Sequence, residues 1–127
     1  MNKIFALLLT LGCLAVTPSL ADELTEELHF KPGSSSTQIR RGIARGETMR
    51  FLLGASGGQV MTVVVQSVEK NAVFEVWSNR GKLGESVEAA GKQKWSGVLP
   101  GSSPATYTIE VGSTRGGSEF NLYVEIR

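Results

Sequence analysis

The stretch FNLYVEI, residues 120–126, alternates strictly between apolar and polar side chains. Phe120, Leu122, Val124 and Ile126 therefore share one face. Successive side chains of a β-strand point to opposite sides, so this pattern predicts a strand with one buried face and one exposed face. A helix would need apolar residues three or four positions apart, and no window of the chain shows that spacing convincingly.

Similar alternating stretches recur along the chain, with glycine, proline and serine between them. The predicted strands are 24–30, 38–45, 49–53, 60–65, 71–77, 95–99, 106–111 and 120–126, and residues 85–94 are interpreted as a mobile connection or a weak edge strand. About eight short strands at this spacing predict an all-β fold, a single two-layer antiparallel β-sandwich. Its buried set is expected to be Ile43, Phe51, Leu53, Met61, Val63, Val65, Phe74, Val76, Trp95, Leu99, Tyr107, Ile109, Val111, Phe120, Leu122, Val124 and Ile126.

The first residues have the pattern of an export signal. Lys3 precedes the apolar run 4–16, and the segment 17–21 ends in small residues at the positions that a signal peptidase reads. We predict a cleaved signal peptide over residues 1–21 and a sandwich domain over residues 22–127. The apolar run is shorter than the roughly 20 residues of a transmembrane helix. A lipoprotein acylated at Cys13 is the alternative, and Thr10 disfavours it because lipidation motifs place a large aliphatic residue there.

The composition of the predicted mature chain excludes several functions. Removing Lys3 leaves 12 basic residues against 12 acidic ones, so no net basic charge favours nucleic acid. No cysteine remains, His29 is the one histidine and Asp22 the one aspartate, so catalytic triads and zinc sites lack their side chains. The eleven glutamates are scattered, and no pair stands out as hydrolytic. We expect no catalytic residue, no metal and no cofactor.

The order of short motifs resembles the bacterial periplasmic inhibitors of g-type lysozyme and, more loosely, the pre-peptidase C-terminal type of β-sandwich. The matching segments are 28–36, 42–46, 58–63, 71–76, 95–100, 107–111 and 114–115. The chain departs from the family at 47–50, where the inhibitors are tyrosine-rich, at 102–107, where their turn is shorter, and at 116–118, where their loop is longer and basic.

This resemblance implies a non-catalytic periplasmic protein that blocks the substrate cleft of a lysozyme with its end loops. A lysozyme cleft presents carboxylates, which guanidinium and hydroxyl donors can bind. The candidate lysozyme-binding residues are Arg115, Ser102, Ser103, Tyr107, Arg45 and Arg50. The hypothesis expects Arg115 and Tyr107 at the same end of the sandwich.

A second hypothesis stays open at this stage. The chain could be a non-catalytic periplasmic or secreted binding module for a glycan, peptidoglycan or an envelope protein. Under either hypothesis the sequence leaves the oligomeric state undecided between a monomer and a homodimer formed through an edge strand.

Overall fold

The computed structural model describes residues 23–127, so the predicted signal peptide lies outside the described residues. Residues 23–127 form ten β-strands and contain no helix, and hence none that is long and apolar enough to cross a membrane. The strands are β1 Glu23–Glu27, β2 Ser36–Ile43, β3 Thr48–Ser56, β4 Val60–Ser67, β5 Ala72–Ser78, β6 Gly81–Glu85, β7 Val87–Ala89, β8 Lys92–Val98, β9 Pro104–Ser113 and β10 Ser118–Ile126.

The strands form two five-stranded sheets, which confirms the predicted all-β sandwich. Sheet 1 has the order β1-β3-β9-β5-β6, and sheet 2 has the order β2-β10-β4-β8-β7. Pairing is antiparallel throughout except that β1 lies parallel to β3. The central strand is β9 in sheet 1 and β4 in sheet 2, and in both strands buried side chains alternate with more exposed ones.

The structure has two more strands than the roughly eight that the sequence predicts. β6 covers residues 81–85, where the sequence analysis predicts no strand, and β7 is a short edge strand within the expected connection 85–94. The chain passes from sheet 1 to sheet 2 at Ser86. The backbone N–H of Phe74 donates to Ser86 Oγ at 3.1 Å, and that hydroxyl donates to Gln93 Oε1 at 2.7 Å. Ser86 therefore satisfies polar groups of both sheets at the crossing point.

The core consists of the inward-facing residues of both sheets. Fifteen of the seventeen predicted core residues are buried, and Leu28, Met49 and Ala72 are buried in addition. Phe51 of sheet 1 and Phe120 of sheet 2 meet edge to face with ring centroids 6.2 Å apart. Trp95 and Ile126 are only partly buried and pack against this core from its margin, so the expectation that they are core residues is wrong.

At each open side of the sandwich, a side chain of sheet 2 contacts sheet 1. On one side, the guanidinium of Arg41 in β2 donates to both carboxylate oxygens of Glu26 in β1, at 2.8 and 2.5 Å. On the other side, the indole of Trp95 in β8 occupies the space that a side chain on Gly84 of β6 would need. Trp95 lies at the margin because its indole packs against Gly84 in β6, the edge strand of sheet 1.

Candidate functional site

Three loops meet at one end of the sandwich, and we call them the arginine end: residues 44–47, 68–71 and 114–117. A Cβ atom on Gly117 would lie 3.0 Å from the carbonyl oxygen of Ile43, so the third loop rests on the first. The guanidinium of Arg115 donates from Nη2 to the carbonyl oxygen of Glu69 at 3.0 Å, which joins the third loop to the second. Arg45, Lys70 and Arg115 are exposed on three adjacent loops.

Asn71 organises the arginine end. Its side chain is buried, and Nδ2 donates to the carbonyl oxygens of Arg115 and Gly117, each at 2.8 Å. The backbone N–H of Thr114 donates to the carbonyl of Asn71 at 2.8 Å, and Ser113 Oγ donates to the carbonyl of Arg115 at 2.6 Å. These bonds hold the backbone around Arg115 in one conformation before any partner arrives.

The turn that carries Arg45 is closed by its own residues. The backbone N–H of Ala44 donates to Glu47 Oε1 at 2.7 Å, and the N–H of Glu47 donates to the carbonyl of Ala44 at 3.0 Å. Gly46 has a φ of +83°, a backbone conformation that favours glycine. Arg45 therefore extends from a fixed turn beside the Arg115 loop.

The opposite end of the sandwich carries the two candidate serines, and we call it the serine end: residues 57–59, 78–81 and 99–103. Ser102 and Ser103 are exposed and border a shallow depression of about 180 Å³, together with Asn79 and Arg80. A side chain on Gly57 would overlap the backbone of Gly101, so two of these loops are in close contact.

Neither Tyr107 nor Arg50 is exposed at an end of the sandwich. Tyr107 is 1% exposed, and its hydroxyl donates to the carbonyl oxygen of Pro100 at a long 3.4 Å, so it supports the serine end from inside the core. Arg50 lies on the outer face of sheet 1, with Nε 3.5 Å from a carboxylate oxygen of Glu110. The expected convergence of Arg115 and Tyr107 is wrong, because Arg115 follows the end of β9 that lies farthest from Pro100.

The candidate residues thus form two separate groups. Arg45 and Arg115 share the arginine end, whereas Ser102 and Ser103 share the serine end. Sequence reasoning missed Asn71, which it placed inside the strand 71–77; the carbonyl groups that its side chain bonds belong to Arg115 and Gly117, which are distant in sequence, so no local pattern marks this role. Within residues 23–127, no group of three or more His, Cys, Asp or Glu side chains is arranged to hold a metal ion.

Comparison with solved structures shows which proteins share this fold. The chain is similar to PliG of Aeromonas hydrophila, described as a periplasmic lysozyme inhibitor of g-type lysozyme, with a TM-score of 0.73 and 25% identity over 84% of this chain and 98% of that one. PliG of Salmonella Typhimurium, with the same description, gives a TM-score of 0.57 and 16% identity over 82% of this chain and 98% of that one. A pre-peptidase C-terminal domain of a Bacillus anthracis collagenase gives a TM-score of 0.59 and 9% identity over 83% of this chain and 94% of that one.

No protein-family model matches the sequence, and a search of the curated proteins found no significant match. The structural neighbours confirm both resemblances that the motif order indicated, the periplasmic lysozyme inhibitors and the looser pre-peptidase C-terminal sandwich. The Salmonella inhibitor, at 16% identity, and the collagenase domain, at 9%, show a shared fold alone.

Proposed function

We propose that the mature chain, residues 22–127, is a periplasmic inhibitor of a g-type or related lysozyme and that its arginine end enters the substrate cleft. The observation that carries this proposal is the similarity to the Aeromonas inhibitor, which spans 98% of that protein at a TM-score of 0.73. The proposal assigns no catalytic residue, no metal and no cofactor to the chain. Its location rests on the predicted signal peptide, 1–21, and on the periplasmic neighbours.

The chemistry of the arginine end suits this role. Glycoside hydrolases act through paired carboxylates, and a guanidinium binds a carboxylate through two parallel hydrogen bonds. Arg45 and Arg115 present two guanidinium groups on adjacent loops, and Lys70 adds an ammonium group on the loop that Arg115 contacts on its other side. The loops of the serine end offer hydroxyl donors and the guanidinium of Arg80, and the neighbouring guanidinium of Arg127 is paired with Glu125, a weaker match to a cleft with two carboxylates.

The rigidity of the arginine end also favours inhibition. Ordering a loop on binding costs free energy that would otherwise contribute to affinity. The bonds from Asn71 and Ser113 fix the Arg115 backbone in the free protein, so that cost is already met by folding. Arg115 Nη2 is bound to the Glu69 carbonyl, and the remaining N–H groups of its planar fork are the donors we assign to the lysozyme.

Lysis of bacterial cell walls, followed by turbidity, tests the proposal. Purified mature protein is added in molar excess to a g-type lysozyme, with c-type and i-type enzymes as comparisons. We expect the g-type enzyme to lose its lytic activity in proportion to the added protein. Undiminished lysis by every enzyme in the panel would refute the proposed function.

A further inference from the structure

The outer face of sheet 1 contains a groove that the inhibitor proposal does not use. Its floor is the outward side of the central strand β9, formed by the side chains of Thr108 and Glu110 and by the bare backbone of Gly112. The walls are the outward residues of the neighbouring strands, which the register places beside that floor: Trp77, Glu75 and Val73 of β5, and Leu52, Arg50 and Thr48 of β3.

Two depressions make up this groove, and Glu110 lines both. One, of about 240 Å³, lies between Trp77 and Arg50 over Thr108. The other, of about 480 Å³, is lined by Gly112 and Val73 and also by Glu85, which lies beside Glu75. From Thr108 to Gly112 the strand rises by about 14 Å, so the groove has room for a short linear oligomer.

An exposed tryptophan forms one wall of the groove. Trp77 is 36% exposed, and its indole N–H donates to Glu75 Oε1 at 3.1 Å, which limits how the ring can turn. A large aromatic ring at a wet surface offers an apolar face on which a ligand can stack. The exposed ring of Trp77 can therefore stack on a flat, partly apolar ligand.

The polar groups in the groove restrict the class of ligand. Glu75, Glu85 and Glu110 lie side by side across three strands, and Lys82 and Arg50 compensate part of their charge. Three carboxylates against two cations disfavour an anionic polymer. The carboxylates are closely spaced acceptors, and the two cations are donors, for hydrogen bonds with hydroxyl groups.

The backbone pairing of the groove also disfavours a peptide ligand. The floor strand β9 is hydrogen-bonded to neighbours on both sides, so an extended peptide cannot add to it as another strand. A ligand of this groove must therefore be recognised by side chains. These are the aromatic ring of Trp77, the neighbouring carboxylates, and the ammonium and guanidinium groups of Lys82 and Arg50. We propose that this groove binds a linear, uncharged oligosaccharide, with Trp77 stacking on a sugar ring and Glu110 accepting hydrogen bonds from its hydroxyls. This site does not depend on the proposed lysozyme inhibition.

Calorimetric titration of the mature protein with three tetrasaccharides tests the groove. The two neutral probes are the β-1,4-linked tetramers of N-acetylglucosamine and of glucose. The anionic comparison is a tetramer of galacturonic acid. We expect saturable binding of at least one neutral tetramer and no saturable binding of the anionic one. The site is refuted if neither neutral tetramer binds at millimolar concentration, or if the anionic tetramer binds more tightly than both.

Variants locate the binding on the molecule. Trp77→Ala removes the wall, and Gly112→Val fills the floor at a strand position where a Cβ would meet only Thr48 Cγ2, at 3.6 Å. Each should weaken binding by at least about tenfold. Tyr123→Ala, the matched aromatic control on the outer face of sheet 2, should bind as the unaltered protein does. Unchanged binding by both groove variants, or its loss only in Tyr123→Ala, would place the site elsewhere and overturn the proposal.

Discussion

Asn71 is the residue on which the shape of the arginine end depends. Its side-chain amide is a double donor, and both N–H groups are used on carbonyls of the Arg115 loop. A buried amide that meets two carbonyl oxygens has no close substitute among the other side chains. Changing its chemistry while keeping its shape therefore tests its role.

Asn71→Asp should destabilise the protein by about 2–4 kcal/mol, because a buried carboxylate would face two carbonyl oxygens without a donor. Denaturant unfolding measures this, and hydrogen exchange of the 114–117 amides should accelerate. Asn79→Asp, the same change at an exposed turn, should alter stability by less than about 0.5 kcal/mol. Equal stability of the two variants would show that Asn71 does not organise this end.

At the level of elements, strands with an apolar residue at every second position could be predicted from the sequence. β10 is the clearest case, since its period of two persists through nine residues. β6 could not be predicted in this way, because Leu83 is its only large apolar side chain. Its position depends on contacts that are distant in sequence, the indole of Trp95 against Gly84 and the pairing with β5.

The edge strand β1 depends on the ion pair between Glu26 and Arg41. Hydrogen bonds from the Arg41 guanidinium hold the pKa of the Glu26 carboxyl below its ordinary value of 4.5. A carboxyl whose pKa is lowered by folding stabilises the folded state above its unfolded pKa, and this contribution is lost as the pH falls through the folded pKa.

Glu26→Gln should lower the free energy of unfolding at pH 7 by about 0.5–1 kcal/mol, a modest effect because solvent partly screens the pair. The difference from the unaltered protein should shrink as the pH falls below 4.5, and denaturant midpoints at pH 7 and pH 3 measure it. Glu119→Gln breaks the ion pair between Glu119 and Arg40, which is more exposed than the pair of Glu26 with Arg41, and should therefore lower the free energy of unfolding by less. A difference that is the same at both pH values would contradict this account of the β1 edge.

At the scale of the whole molecule, the sandwich separates residues that the sequence alone grouped together. Arg115 and Ser103 are 12 positions apart, yet β9 runs the length of sheet 1 between them and places them at opposite ends. Strand order decides which loops are neighbours, and strand order arises from long-range pairing that periodicity does not encode. The fold could thus be predicted largely from the sequence, whereas the geometry of the candidate site could not.

The inhibition constant of two double variants against a g-type lysozyme tests the central claim most directly. Arg45→Ala with Arg115→Ala removes both guanidinium groups of the arginine end, and Ser102→Ala with Ser103→Ala alters the serine end to a similar extent. Thermal melts confirm that both variants fold. We predict that the arginine pair raises the inhibition constant at least about tenfold, or 1.4 kcal/mol, while the serine pair changes it by less than about twofold. The reverse order, or no change in either variant, would contradict the claim that the arginine end enters the cleft.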